Sequence, residues 1–135
     1  MKEITTEAVT SSIDAITDFV NAELETLGCP MRTQMQIDVV IDEIISNISY
    51  YAYAPGKGNV TVSVEAQESP RAVVIRFQDS GTPYDPLSVK EPDVTLSAEK
   101  RKLGGLGIFI VRKTMDDVSY EHRDGKNVLR VLKYY

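Results

Sequence analysis

Two polar residues one helical turn apart interrupt a strongly apolar segment of the sequence. Glu43 and Asn47 lie within IDEIISN, and residues four apart share one face of a helix. At about 100° per residue, both lie at the border of the isoleucine stripe that such a helix would bury. A carboxylate there can act as a general base toward a hydroxyl, and an amide oxygen is a hard ligand suited to Mg²⁺. A solvated helix edge would show the same pattern, so the pair alone does not decide.

The second candidate is the turn Asp79-Ser80-Gly81-Thr82-Pro83, which follows a segment of alternating apolar residues. A carboxylate at the end of a strand can accept a hydrogen bond from an exocyclic amine such as that of adenine. Gly81 would let the backbone approach a flat ring closely, because glycine has no side chain. The same residue types dominate ordinary turns, so a plain turn is the alternative interpretation.

The third candidate is Gly104-Gly105-Leu106-Gly107, immediately before an apolar helical segment. Glycines at a helix N-terminus expose backbone N–H groups to an anion, and the helix dipole adds to the attraction. The basic segment 100–102 precedes them and could approach phosphates. The segment is neither a Walker A loop, which needs GK[ST], nor a Rossmann fingerprint. A hinge or a tight helix entry is the alternative.

The hydrophobic pattern predicts the elements that must position these residues. They are, in order, a strand over 2–9, a helix from the capping pair Ser11 and Asp14 to Gly28, a helix from about Pro30 to Tyr53, strands near 59–66 and 71–78, a helix ending near Met115, and strands near 118–123 and 127–134 joined by Asp124-Gly125. Strands that come in hairpins favour an α+β two-layer sandwich over a parallel sheet. Residues 80–103 show no period, which is typical of a functional lid or a disordered insert.

The composition excludes several classes of protein. With 135 residues, 42% of them hydrophobic and 26% charged, the chain is predicted to form one soluble globular domain. A net charge of −5 disfavours nucleic acid and membrane surfaces as partners. A single cysteine, no apolar signal core and no stretch near the ~20 apolar residues of a membrane span together predict a cytoplasmic location.

In their order and spacing, the three candidates resemble the N box and the two glycine boxes of the GHKL ATP-binding superfamily. Within it, the chain is most similar to the small anti-sigma factor serine/threonine kinases, through IDEIISNISYYAY, DSGTPYDPL and GGLGIFIVRKTMDDVSYEHRDGKNVLRV. The resemblance covers nearly the whole chain. It implies the Bergerat, or histidine-kinase-like ATPase, fold: a mixed, mostly antiparallel sheet covered by three helices on one face. It also implies a single ATP-binding domain over 1–135, with an ATP lid at about 80–107.

The resemblance also implies roles for individual residues. Glu43 matches the general base that activates a serine hydroxyl on a protein substrate, Asn47 matches the Mg²⁺ ligand, and Asp79 matches the aspartate that reads adenine. The implied ATP-binding positions are Asn47, Asp79, Gly81, Pro83, Gly104, Gly105, Leu106, Gly107 and Asn127. The roles of Asp85 and of Tyr50, Tyr51 and Tyr53 stay open.

Three segments depart from the family pattern. Tyr51 stands where many relatives carry histidine, and Pro83-Tyr84 replaces a glycine followed by a hydrophobic residue. The segment Gly125-Lys126-Asn127 stands where many relatives have Gly-Thr. An asparagine there could substitute for the threonine hydroxyl that usually helps to hold the adenine site.

The resemblance implies an ATP- and Mg²⁺-dependent protein serine/threonine kinase that phosphorylates a STAS-type anti-sigma antagonist in a partner-switching system. It further implies a homodimer, with a sigma factor as another partner. The alternative is a nucleotide-gated binding protein that sequesters a sigma factor or other partner without phosphoryl transfer. The catalytic half of a histidine kinase is disfavoured, because no helical phospho-acceptor domain is recognised and His122, the only histidine, falls on a predicted strand.

Overall fold

The computed structural model describes residues 1–53, 56–88 and 105–135, with the side chains of residues 105 and 106 left out. The strands are β1 (Lys2–Glu7), β2 (Asn59–Gln67), β3 (Ala72–Asp79), β4 (Asp117–Arg123) and β5 (Lys126–Tyr134). The helices are α1 (Ile13–Thr26), α2 (Met31–Tyr51) and α3 (Gly105–Thr114), with 3₁₀ turns at Thr10–Ser12 and Pro86–Ser88. Each predicted element is present close to its expected bounds. Most of the expected lid, including Gly104, lies outside the described residues.

The five strands form one sheet in the order β1-β2-β3-β5-β4. Every pairing between them is antiparallel, so the parallel component of the expected mixed sheet is absent from the described part of the chain. The two hairpins account for the β2–β3 and β4–β5 pairings, because consecutive strands joined by short turns must run in opposite directions. The central strand β3 pairs with β5 in a register that places Asp79 opposite Asn127.

All three helices pack on the same face of this sheet. Alternate residues of the central strands share one core with the apolar stripes of the helices, as in Ile75 of β3, Ile41 of α2 and Val111 of α3. The isoleucine stripe predicted for α2 is buried in full, at Ile37, Ile41, Ile44, Ile45 and Ile48. Each such side chain stabilises the fold by about 1.5–3 kcal/mol, so α2 is firmly fixed against the sheet. Among the described residues, no helix is long and apolar enough to cross a membrane.

The start of α1 differs from the prediction. The N-cap is Ser12, which makes no side-chain capping hydrogen bond, and Ser11 lies inside the preceding 3₁₀ turn. The Ser12 hydroxyl instead accepts a hydrogen bond from Thr6 Oγ1 at 3.3 Å. The capping pair was therefore wrong, because the 3₁₀ turn takes the place of an extended N-cap. The other end agrees with the prediction, since Gly28 follows the helix with φ +76°, a conformation that favours glycine.

Candidate functional site

A pocket lies between α2 and the end of the sheet where β3 stops. Three of the predicted site residues, Asn47, Asp79 and Asn127, line it together. The remaining lining residues are mostly apolar or aromatic: Ile44, Ile48, Tyr51, Ala52, Phe77, Thr82, Tyr84, Pro86, Tyr120 and Leu129. A few polar groups converging in an apolar pocket are typical of a small-molecule site.

Asp79 is the buried carboxylate of this pocket, with only 6% of its surface exposed. Its Oδ1 accepts hydrogen bonds from the Gly81 backbone N–H and from Asn127 Nδ2, both at 2.9 Å. A buried carboxylate needs such donors, because desolvation otherwise disfavours its charge. Both donors reach the same oxygen, so neither uses Oδ2. Asp79 lines the pocket, so a ligand amine there could donate a hydrogen bond to its carboxylate.

The turn that follows Asp79 is attached to the end of α2. The Thr82 N–H donates to the Ala52 carbonyl at 2.7 Å, and the Ser80 N–H donates to the Tyr53 hydroxyl at 2.8 Å. A Cβ at Gly81 would lie 2.2 Å from the Ala52 oxygen. Glycine is thus required at position 81 by the close approach of the helix end, a reason additional to the expected approach of a flat ring.

Asn127 is a buried bridge between β5 and this turn. Its Nδ2 donates to Asp79 Oδ1 at 2.9 Å and to the Thr82 carbonyl at 3.0 Å. Its Oδ1 accepts hydrogen bonds from the Tyr120 hydroxyl and from the Tyr84 N–H, the latter at 3.4 Å. These contacts would allow Asn127 to hold the site together, as expected from the sequence.

Sequence reasoning missed Tyr120. The β4–β5 register pairs Tyr120 with Leu129 and His122 with Asn127, so Tyr120 and Asn127 are diagonal neighbours on one face. Long side chains reach such neighbours across a sheet. Counting back from the Asp124-Gly125 hairpin would have placed the two side chains together.

Glu43 lies half-buried on α2, one turn before Asn47, where α2 meets the first turn of α3. A Cβ at Gly107 would lie 2.0 Å from Glu43 Oε2, so the missing side chain at 107 provides the space for this carboxylate. Burial raises the pKa of Glu43, and the negative charge of Asp42 raises it further. Glu43 is therefore a better proton acceptor than an exposed glutamate.

Asn47 is buried, and its Nδ2 has no hydrogen-bond partner among the described residues. A buried donor without a partner costs about 1–3 kcal/mol, and a ligand acceptor in the pocket would remove that cost. The described residues contain no cluster of three His, Cys, Asp or Glu side chains that could hold a metal ion by themselves. Mg²⁺ fits such a site only in its usual form, with one or two protein oxygens and the remainder from phosphates and water.

The residues whose roles stayed open have distinct surroundings. Tyr51 stacks on Tyr84 with ring centroids 5.2 Å apart at the pocket, whereas Tyr50 is 57% exposed. Tyr53 holds the turn after β3, as described above, and also donates to the Asn59 carbonyl at 2.7 Å. Asp85 accepts the Leu87 N–H through Oδ1 at 2.8 Å, so it caps the 3₁₀ turn that follows it.

The other predicted residues are only partly placed. Pro83 is exposed and lies between Thr82 and Tyr84, which line the pocket, without lining it itself. Gly105 and Leu106 form the first turn of α3 together with Gly107. The pocket lining given by the described residues includes Asn47 but not Glu43.

Known proteins resemble this chain over most of its length. It is 28% identical over 103 residues to the serine/threonine-protein kinase BtrW of Bordetella bronchiseptica, covering 76% of this chain and 72% of that protein. It is 29% identical over 102 residues to the serine-protein kinase RsbW of Listeria monocytogenes, covering 73% of this chain and 64% of that protein. The alignment therefore spans slightly less than two thirds of the RsbW relative.

A likeness in fold extends to a solved structure. A chain in "The crystal structure of SiaB-SiaC complex from Pseudomonas aeruginosa" superposes with a TM-score of 0.56 at 15% identity, covering 100% of this chain and 90% of that one. The predicted α+β fold and the predicted resemblance to serine kinases are thereby confirmed. Residues 6–133 match the family described as Histidine kinase-like ATPase domain. The chain belongs to the histidine kinase-like ATPase domain family.

Proposed function

We propose that this chain is a protein serine/threonine kinase that binds ATP in the pocket at Asp79 and transfers its γ-phosphoryl group with the help of Glu43. The observation that carries the proposal is one geometric relation. A buried acceptor carboxylate lies in an apolar pocket, and the helix that walls this pocket also carries a second carboxylate with a raised pKa. The relatives named as serine kinases support the same activity.

The pocket offers each part of ATP a chemically matched group. Asp79 accepts a hydrogen bond from the exocyclic amine of adenine. Apolar walls for the ring come from Ile48, Phe77 and Leu129. The first turn of α3, with Gly105, presents backbone N–H groups, which favour phosphate oxygens. Gly81, Pro83, Leu106, Gly107 and Gly104 belong to the same proposed ATP site. The lid proposed over about 80–107 would cover it.

Magnesium belongs to the proposal as the partner of the phosphates. When bound with ATP, Mg²⁺ neutralises phosphate charge, and the amide oxygen of Asn47 is the protein group proposed to bind it. The unpartnered atom of the same amide is Nδ2, a donor, which suits a phosphate oxygen of the bound nucleotide.

Glu43 is proposed as the general base of the transfer. It takes the proton of a serine or threonine hydroxyl on the protein substrate as that oxygen attacks the γ-phosphorus, and ADP leaves with the bridging oxygen. In such transfers positioning and charge stabilisation supply most of the rate, and the base contributes typically 10²–10⁴-fold. A protein that only bound nucleotide would not need a half-buried carboxylate here, so Glu43 favours a kinase over nucleotide-gated sequestration.

The proposed protein substrate is a STAS-type antagonist of an anti-sigma switch, as the resemblance implies. A homodimer and a sigma factor as a further partner belong to the same proposal. The RsbW relatives, which are named serine-protein kinases, support a protein as the substrate.

Asp79→Ala is expected to weaken ATP and ADP binding by at least about tenfold, because the buried acceptor for the amine is removed. Calorimetric titration of both nucleotides with Mg²⁺ measures the change. Asp79→Asn, which keeps the volume, guards against a loss caused by misfolding, and Asp18→Ala on the exposed side of α1 is the control for lost charge. If the folded wild type binds neither nucleotide, the proposed function is wrong.

The rate of transfer is expected to fall at low pH earlier than it would with an exposed glutamate. Burial and Asp42 raise the pKa of Glu43, and only its ionised form accepts a proton, so kcat/KM should decline as pH falls through this raised value. Asp42→Asn removes one of the two causes and should move the decline to lower pH, while Asp18→Asn should leave it in place. A profile identical in wild type and Asp42→Asn would contradict the assignment.

A further inference from the structure

The amide of Asn127 has an orientation fixed from two sides. Acceptors lie on the side of its NH₂ group, namely Asp79 Oδ1 and the Thr82 carbonyl. Donors lie on the side of its oxygen, namely the Tyr120 hydroxyl and the Tyr84 N–H. Since the two ends of an amide have nearly the same shape, only these partners decide which end faces Asp79.

The Tyr120 hydroxyl is the stronger of the two donors to the Asn127 oxygen. The Tyr84 N–H is 3.4 Å away, beyond the usual range for N–H···O hydrogen bonds. Without the Tyr120 hydroxyl, the buried oxygen of Asn127 would keep only this long contact with the Tyr84 N–H, and a poorly satisfied buried acceptor favours a shift of the amide. Such a shift would lengthen the hydrogen bond from Asn127 Nδ2 to Asp79 Oδ1 and weaken one of the two N–H donors of the buried carboxylate.

We propose that Tyr120 is a positioning residue for recognition of the exocyclic amine of the nucleobase. It acts through Asn127, which holds Asp79 Oδ1 and so keeps the carboxylate aimed as an acceptor in the pocket. The inference rests on the proposed function, because it assumes that Asp79 reads this amine. It adds a residue outside the expected site, on a strand of the sheet edge.

Selectivity for the amine separates this role from a merely structural one. The probes are ATP and purine riboside triphosphate, which lacks the 6-amino group, each titrated with Mg²⁺. Wild type should prefer ATP by about tenfold or more, the worth of one hydrogen bond to a charged group. Tyr120→Phe should reduce the preference to less than about threefold by weakening ATP, while the affinity for the analogue changes by less than about twofold.

The matched control is Tyr134→Phe, which removes the hydroxyl of an exposed tyrosine seven residues from Asn127 on β5. A second variant, Asn127→Thr, supplies a hydroxyl that can donate to Asp79 without help. In that background Tyr120→Phe should have no further effect on the preference, which a double-mutant cycle measures.

Two results would overturn the inference alone: full preference for ATP retained in Tyr120→Phe, or an equal loss of both nucleotides. If the wild-type protein binds ATP and the analogue equally well, Asp79 does not recognise the 6-amino group. Both that part of the proposed function and this inference would then be wrong. The melting temperature of Tyr120→Phe is expected to stay within a few degrees of wild type, because only one hydroxyl is removed.

Discussion

Glu43→Gln is expected to reduce phosphoryl transfer to a STAS-domain protein by about 10²–10⁴-fold while leaving the affinity for ATP within about threefold. Glutamine keeps the shape of the side chain but cannot accept the hydroxyl proton. Glu43 does not line the pocket around Asp79, so nucleotide binding should persist. Transfer is measured with γ-labelled ATP and by the mass of the protein substrate, and binding by calorimetry.

Glu25→Gln is the matched control, because it makes the same chemical change at an exposed position of α1. It should transfer phosphate at the wild-type rate. Phosphorylation by Glu43→Gln at an unchanged rate would remove Glu43 from the mechanism. If the wild-type protein binds ATP but transfers the γ-phosphoryl group to no STAS-domain protein of its genome, nucleotide-gated binding would be favoured instead.

Gly107→Ala is expected to slow transfer by about 10²-fold with little loss of stability. The new Cβ would lie 2.0 Å from Glu43 Oε2 and 2.8 Å from its Cδ, so the carboxylate must move. The displaced atoms are the flexible end of a side chain, and the fold can therefore accommodate them. A displacement of about 1 Å in a catalytic group is enough for such a loss of rate. Single-turnover phosphorylation measures it.

Stability supplies an independent test of this contact. Alanine is favoured over glycine in a helix by about 1 kcal/mol. In a Glu43→Ala background the new methyl group meets no carboxylate, so Gly107→Ala should raise the free energy of unfolding, measured with urea, by about that amount. In the wild-type background the collision with Glu43 should cancel this increase. Equal gains in both backgrounds, together with wild-type transfer by Gly107→Ala, would show that the two residues do not interact.

The sequence predicted best what depends on local periodicity. The isoleucine stripe of α2 was readable by itself, and it correctly placed Glu43 and Asn47 at the border of the core. The hairpins were readable from their turns and alternation, although they were expected within a mixed sheet. The start of α1 was not, because its capping pair competes with a 3₁₀ turn held by Thr6 of the neighbouring strand.

Features that depend on register and on close approach were harder to predict. The pairing of Asp79 with Asn127 needs the β3–β5 register, which no local pattern specifies. The contact between Tyr120 and Asn127 is diagonal, so it can be predicted only once the register of β4 and β5 is known. The glycines at 81 and 107 were recognised, yet the sequence could not show that Ala52 and Glu43 are what they accommodate.

The hydrogen bond from the Thr82 N–H to the carbonyl of Ala52, the C-cap residue of α2, links the proposed nucleotide site to the helix that carries the proposed base. A displacement of α2 is therefore expected to move this turn as well, and with it the proposed adenine site. Thermodynamic linkage then requires reciprocity: a protein that shifts α2 on docking changes the affinity for ATP by the same factor by which ATP changes its own affinity. The binding of nucleotide and the binding of the partner protein would thus be thermodynamically coupled, and each would change when the other changes.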